Sequence, residues 1–374
     1  MTKVLNYSLL LLVGLVCSQF LGGFGKEWVQ LSTMFCLSFI MIHVGYEFEI
    51  DKSKPKQYGW DYLVAATAAM FPWLFCAGYF IWVLDMNSWT EALLLARFSS
   101  PTSAGVLFSM LAAAGLSATW VFRKARVLAI FDDLDTILLM IPLKMMMVGM
   151  KWQLGLIVFV IMVLLWMAWR HLHSWRLPLS WPWIMLYAGL ITGVCEVIYL
   201  TSKVIDDVVP VHLEVLLPAF VLGCMLARPA GIHPHIDDSR AGHQEGPEES
   251  NEQRVSTIVA ACFMVLVGLS MPQIPHDTID WGLIASHVVF VTIISNLGKM
   301  FPFFCYRKEA TKRERLALSI AMFPRGEVGA GVLVVSMGYG LGGTALTVAV
   351  LSLALNLLLT GVFIISVKKL IGGN

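Results

Sequence analysis

The chain is poor in charged residues, which make up 14% of its 374 residues, whereas 58% are hydrophobic. A soluble domain usually carries about 25% charged residues. This shortage of charge argues against a soluble protein. The seven cysteines show neither paired nor metal-ligand spacing, which excludes the usual disulfide frameworks and zinc sites.

Motifs of nucleotide-driven pumps and of membrane-embedded enzymes are also missing. The chain has no Gly-x-x-x-x-Gly-Lys-Ser/Thr phosphate loop, which disfavours an ATP-driven pump and a nucleotide partner. It lacks the Gly-x-Gly-Asp element of intramembrane aspartyl proteases, so we expect no enzyme. Gly338, Gly340 and Gly343 fit a Gly-x-Gly-x-x-Gly pattern, but they lie between two apolar segments, which predicts a tight turn. We expect no nucleic-acid partner.

The chain is rich in apolar blocks of about 20 residues, the length that a helix needs to cross a bilayer. In lipid the backbone must satisfy its own hydrogen bonds, which such runs do as helices. The blocks, numbered here as segments 1 to 12, are 4–21, 28–50, 60–84, 92–116, 127–148, 154–169, 183–200, 208–227, 258–271, 279–306, 316–337 and 345–367. This pattern predicts an all-α polytopic membrane protein with about 12 transmembrane helices.

The basic residues of the predicted loops are unevenly distributed. Twelve spans place 19 Lys and Arg residues on the side that holds both termini, and only Lys26, Lys151 and Lys203 on the other. Basic loops remain in the cytoplasm. We therefore expect both termini in the cytoplasm, in a multi-pass protein of a bacterial inner (plasma) membrane in contact with lipid.

Two stretches of the chain resemble each other. Residues 96–107 and 321–333 share the order Ala-x-Phe, Pro and Ala-Gly-Val-Leu at an offset of 223 to 226 residues. The same offset carries Val44-Gly45 onto Val267-Gly268. A shift by seven segments reverses direction across the membrane, which indicates an inverted repeat. We predict a first half at 1–227, a cytoplasmic linker at 228–254 and a second half at 255–374.

The repeated stretches interrupt segments 4 and 11. Residues 99–105 read Ser-Ser-Pro-Thr-Ser-Ala-Gly, and residues 324–329 read Pro-Arg-Gly-Glu-Val-Gly. Proline removes a backbone donor and glycine lowers the cost of unwinding. Matched interruptions in inverted repeats are the best sequence indication of a transporter's binding site near the middle of the membrane.

Charged residues inside the predicted spans are costly, and each needs a partner or a water-filled cavity. Lys299 and Arg325 lie well within apolar runs, and Asp132 and Asp133 are adjacent in segment 5. Adjacent residues of a helix point about 100° apart, so one acid can pair while the other faces a cavity. Such a group can exchange protons; a purely structural salt-bridge cluster is the alternative. For Arg97 we expect structural pairing.

Taken together, these motifs resemble the cation/proton antiporter superfamily, and in particular its double-aspartate sodium/proton branch. Residues 131–134, Phe-Asp-Asp-Leu, resemble its paired-acid motif, and residues 322–329 resemble its Pro-Arg-Gly-Glu signature. Residues 44–47 and 266–269 resemble two further segments, and Lys299 stands where that branch has a lysine. The resemblance implies the sodium/proton antiporter fold, with two crossing broken helices. It also implies a dimerisation panel of segments 1, 2, 8 and 9 and a mobile core of segments 3–5 and 10–12.

The resemblance also implies the site residues. Asp133 would bind the cation, and Asp132 would pair with Lys299. Thr102 and Ser103 would add oxygen ligands for Na⁺. The implied activity is exchange of Na⁺ or Li⁺ for H⁺, electrogenic and without a cofactor, in a homodimer.

The resemblance also implies a role for two charged residues, and the sequence departs from the family pattern at one position. Arg325 and Glu327 would stabilise the broken segment 11 rather than bind the ion. Ser100 replaces an aspartate that many relatives carry before the proline of segment 4, which bears on ion affinity and selectivity. A K⁺/H⁺ antiporter of the same superfamily and a sodium-coupled organic-anion symporter are the alternatives.

Overall fold

The computed structural model describes residues 2–20, 25–46, 55–148, 152–205, 215–227, 247–271 and 281–372. These residues form helices without any strand, and one isolated bridge joins Trp175 to Leu226. The helices are α1 Thr2–Phe20, α2 Lys26–Tyr46, α3 Pro55–Trp82, α4 Trp89–Ala96, α5 Ala104–Ala113, α6 Trp120–Val148, α7 Trp152–Arg170, α8 Trp181–Ile205, α9 Leu216–Met225, α10 Pro247–Leu269, α11 Trp281–Gly298, α12 Phe301–Phe304, α13 Lys312–Ala321, α14 Glu327–Gly338 and α15 Gly343–Ile371. In the described part of the chain, every predicted segment overlaps one helix or two successive helices, which confirms the all-α polytopic fold.

Within the described residues, six stretches of helix are both long and apolar enough to cross a membrane. They are Glu27–Tyr46, Lys56–Trp82, Trp152–Arg170, Trp181–Ile205, Gly282–Phe304 and Gly343–Ile371. Predicted segments 4 and 11 fall short of this length because each is broken, into α4 and α5 and into α13 and α14. The predicted turn after α14 contains Gly340 and Gly343, whose φ angles of 80° and 73° favour glycine.

The chain divides into two compact units. The first comprises Met1–Gln30, Asp51–Gly149 and Met264–Asn374, and the second comprises Leu31–Ile50 and Met150–Phe263. Segment 1, which the resemblance assigns to the panel, lies in the first unit, where α1 packs against α15 and α5. Residues 228–246 of the predicted linker lie outside the described part of the chain, and residues 247–254 begin α10.

Each unit contains a close crossing of two helices at a pair of glycines. In the first unit Gly14 of α1 lies against Gly268 of α10, and in the second unit Gly45 of α2 lies against Gly223 of α9. Small residues allow helix backbones to approach this closely. The predicted repeat relates segment 1 to segment 8 and segment 2 to segment 9. The crossing of segments 1 and 9 therefore corresponds to the crossing of segments 8 and 2. The two crossings are therefore the pattern that an inverted repeat produces.

We predict that alanine at either crossing destabilises the protein. A Cβ atom at Gly14 or Gly45 would lie closer than 3.0 Å to the backbone of the facing helix, so the helices must separate. Such overpacking costs about 1–3 kcal/mol. A lower denaturation temperature of purified Gly14→Ala and Gly45→Ala proteins would show it. Gly193→Ala is the control, because no atom lies within 4 Å of its added Cβ; equal stability of all three variants would contradict the prediction.

A buried polar cluster joins α3 and α6 to the chain that follows α12. Both carboxylate oxygens of Asp61 accept from Lys124 Nζ at 3.1 Å, and Oδ1 also accepts from the Tyr306 hydroxyl at 2.7 Å. Lys124 Nζ lies 3.2 Å from Glu309 and 4.5 Å from the centre of the Tyr306 ring. The cluster fixes the ends of three chain segments around one buried lysine.

Lys124→Met is expected to lower stability strongly. It would leave the 2% exposed carboxylate of Asp61 with Tyr306 as its partner and without a cation. Removing one partner of a buried ion pair costs about 3–5 kcal/mol. The check is thermal denaturation in detergent beside Lys308→Met, an exposed lysine two residues from Tyr306. A loss no larger than that of Lys308→Met would count against a stabilising role for the cluster.

Candidate ion-binding site

The two interrupted stretches meet in the first unit. Between α4 and α5 the chain forms a short 3₁₀ turn at Arg97–Ser99 and then a non-helical stretch, and residues 322–326 separate α13 from α14. The Thr102 hydroxyl donates to the Met322 carbonyl oxygen at 3.0 Å. The Ser103 N–H donates to the Pro324 carbonyl oxygen at 2.9 Å. The two unwound stretches therefore form hydrogen bonds with each other where helical hydrogen bonds are missing.

The sequence explains why the chain unwinds at these places. Pro101 and Pro324 cannot donate a backbone hydrogen bond, which ends the helix that precedes each of them. Ser103 then caps α5, because its side chain accepts from the Val106 N–H at 3.4 Å. A Cβ at Gly326 would lie 2.9 Å from Ser103 Oγ, so this close crossing needs glycine. Two helix N-termini, with their partial positive charge, consequently begin beside each other.

A buried ion pair lies beside this crossing. Lys299 Nζ donates to Asp132 Oδ2 at 2.7 Å, and both side chains are 0% exposed. The Thr102 backbone N–H donates to the same oxygen at 2.8 Å. Asp132 Oδ1 has no hydrogen-bond partner among the described residues. The pair thus connects α6 and the turn after α11 to the start of α5, where the helix dipole also favours a negative charge.

Asp133 follows on α6 and is 4% exposed. It points about 100° away from Asp132 around the helix. The formal charges of Asp132, Asp133 and Lys299 sum to −1, which one monovalent cation or one proton would balance. Thr102 and Ser103, the predicted oxygen ligands, are both buried at the crossing, and the Thr102 hydroxyl retains lone pairs while it donates to Met322.

Arg325 binds backbone carbonyl oxygens of neighbouring segments. Its Nε donates to the Ser99 carbonyl oxygen at 2.7 Å, and its Nη2 donates to the Ser295 carbonyl oxygen at 3.0 Å. Its Nη1 donates to Asn296 Oδ1 at 2.7 Å. These contacts link the end of the 3₁₀ turn to α11 and place a cation beside buried carbonyl oxygens. The side chain of Glu327, predicted to act beside Arg325, lies outside the described part of the structure.

Arg97 is fully buried and pairs locally. Its Nη1 donates to Ser100 Oγ at 3.1 Å and its Nη2 to the Asp135 carbonyl oxygen at 2.8 Å. Its guanidinium lies 4.7 Å from the centre of the Trp73 ring. The Asp135 carboxylate instead accepts from the Tyr62 hydroxyl at 2.7 Å. Ser100 is therefore a hydrogen-bond partner of Arg97.

Sequence reasoning missed two asparagines beside the site. Asn296 accepts from Arg325, and Asn356 of α15 lies within 3.0 Å of Asn296 Oδ1. In the amide orientation that satisfies both of its ends, Asn356 donates to the Phe323 carbonyl oxygen at 2.9 Å and accepts from Arg325 at 2.8 Å. An asparagine inside an apolar span was the available signal, because a buried amide needs partners.

Comparisons with known proteins agree with an ion-binding site of this kind. The family model described as sodium/hydrogen exchanger, transmembrane, matches residues 3–370. The fold is similar to that of the sodium proton antiporter MjNhaP1 from Methanocaldococcus jannaschii at pH 8, with a TM-score of 0.57 and 16% identity. That similarity covers 98% of this chain and 92% of the other. A comparison with curated protein sequences finds no match.

Proposed function

Because this chain belongs to the sodium/hydrogen exchanger family, we propose that it exchanges Na⁺ or Li⁺ for H⁺ across a membrane by alternating access. It is a transporter and not an enzyme. The observation that carries the proposal is the ion pair between Asp132 and Lys299, fully buried beside the crossing of two broken helices. Buried charges of this kind are expensive in a membrane, and they mark ion pathways and proton relays.

The first step of the proposed mechanism is competition at Asp133. Its carboxylate holds either a metal cation or a proton, because both neutralise the same negative charge. Carboxylate, hydroxyl and carbonyl oxygens suit hard cations. Thr102 and Ser103 contribute such oxygens, and the bound cation restores a net charge of zero around the ion pair.

The second step couples a further proton. A cation that enters next to Asp132 weakens the attraction between this carboxylate and Lys299. The lysine then stands in an apolar surrounding without a full counter-charge, which favours its neutral form. Its proton leaves as the cation binds, so that two protons move against one cation and each cycle transfers net charge.

We extend the proposal to the setting in the membrane. Both termini lie in the cytoplasm on the basis of the 19 basic loop residues on their side. The protein acts in a bacterial inner (plasma) membrane as a homodimer. A distance measured between labelled copies in nanodiscs tests the dimer, and proteolysis of an epitope at either terminus in spheroplasts tests the orientation.

The test of function is transport by the purified chain in proteoliposomes that contain a pH-sensitive dye. We expect Na⁺ or Li⁺ to release protons from the acidified interior, and an imposed voltage to change the rate. Proton release with K⁺ alone would assign the exchange to potassium instead. Release that requires an organic anion would overturn antiport, and rates that ignore voltage would refute the two-proton cycle.

A further inference from the structure

The loop that joins α7 to α8 has a defined shape in the second unit. Its main chain pairs with the end of α9: His173 N–H donates to the Cys224 carbonyl oxygen at 2.9 Å, and Trp175 N–H donates to that of Met225 at 2.9 Å. The Ala227 N–H donates back to the Trp175 carbonyl oxygen at 2.7 Å. The loop therefore presents its side chains on a fixed backbone.

The charge of this loop is positive only. Arg170 and Arg176 are exposed, and neither forms an ion pair with a described carboxylate. No Asp or Glu occurs between Asp135 and Glu196, so the loop, all of α7 and the part of α8 that precedes Glu196 contain no acid. The Arg170 guanidinium lies 5.6 Å from the centre of the Trp166 ring, a cation–π distance. Two arginines are thus left available for an external anion.

Aromatic rings surround these arginines. Five tryptophans of the hairpin are between 38% and 57% exposed: Trp166, Trp169, Trp175, Trp181 and Trp183. Tryptophan is enriched at the depth of the lipid headgroups. In α7 and α8 only 28% and 22% of the apolar span is buried within the protein, so acyl chains have a surface to cover directly beside the loop.

We propose that this loop, residues 170–183, is a binding site for the phosphate of an anionic phospholipid. Arg170 and Arg176 bind the headgroup, the exposed tryptophans lie against the glycerol region, and the acyl chains cover α7 and α8. Arginine suits this role because its guanidinium forms two parallel hydrogen bonds to phosphate. Lipid is the partner that this surface fits, because the same face is charged at the loop and apolar along both helices. The proposal does not depend on which cation is exchanged.

The experiment is native mass spectrometry of the purified full chain with phosphatidylglycerol or phosphatidylcholine. The wild type should retain phosphatidylglycerol with roughly 25-fold preference, since each of the two arginines contributes a factor of about five near an anionic membrane surface. Arg170→Gln with Arg176→Gln should lose that preference. The control is Arg307→Gln with Lys308→Gln, an exposed basic pair after α12, which should keep it.

Three outcomes would overturn the proposal. The wild type could retain both lipids equally, or both double variants could lose the preference together, which would show nonspecific attraction to charge. Alternatively, the loop variant could change the oligomeric state while lipid retention stays constant, which would identify the surface as a contact between copies. A fluorescence assay of proton exchange in liposomes of each lipid verifies that every variant is folded and active.

Discussion

Asp133→Asn is expected to abolish cation-driven proton exchange in proteoliposomes. Asparagine has nearly the same shape as aspartate, but it neither takes up a proton nor supplies the negative charge that a cation must neutralise. With Asp133 neutral, the formal charges of Asp132 and Lys299 already sum to zero. The binding of Na⁺ would then add an uncompensated charge to a buried site, which is strongly unfavourable. The loss should exceed 100-fold in the rate of dye response.

The chain offers a matched control for this variant on the same helix. Asp135 is a buried acid two residues further on, and its carboxylate accepts from the Tyr62 hydroxyl. An asparagine there still accepts this hydrogen bond through its amide oxygen, so Asp135→Asn should retain exchange. Near-normal transport by Asp133→Asn would show that Asp133 does not bind the exchanged cation and proton. Equal loss in both variants would show that any neutralised acid on α6 disables the protein.

Much of the fold follows from the sequence because lipid imposes strong constraints. Apolar runs must become helices, and each of the twelve predicted segments has its helix in the structure. The breaks in segments 4 and 11 were also predictable from proline and glycine. What the pattern did not give is the packing partner of each helix. Segment 1 joins the first unit through contacts such as that of Gly14 with Gly268, and such pairings depend on shape rather than on hydropathy.

The site was predictable where charge is costly. Asp132 and Lys299 are conspicuous in apolar segments, and the structure places them 2.7 Å apart although 167 positions separate them. Asn296 and Asn356 were harder to predict, because burying a neutral amide costs less than burying a charge, and the partners that satisfy the amide cannot be read from the sequence. The hydrogen bond from the Thr102 backbone N–H to Asp132 could not be predicted either, since any residue except proline supplies an N–H at this position. Charge can be read from a sequence more easily than backbone geometry.

Combined replacement of Asp132 by Asn and Lys299 by Gln is expected to preserve exchange and to remove its dependence on voltage. The double variant retains Asp133 as the only charge of the three, so that one cation replaces one proton and no net charge crosses the membrane. In the wild type the second proton adds one charge per cycle, worth about 2.3 kcal/mol per 100 mV. Rates measured with valinomycin and a potassium gradient should respond to voltage in the wild type alone.

The single variants separate this coupling from simple damage to the fold. Lys299→Gln leaves the 0% exposed Asp132 without its cation, which should cost about 3–5 kcal/mol of stability. Asn at position 132 can still accept from the Thr102 N–H, so the double variant should recover most of that loss. Lys368→Gln serves as a control lysine, because Lys368 donates to the Ala114 carbonyl oxygen away from the site. If the double variant is stable and still electrogenic, the second proton does not come from Lys299.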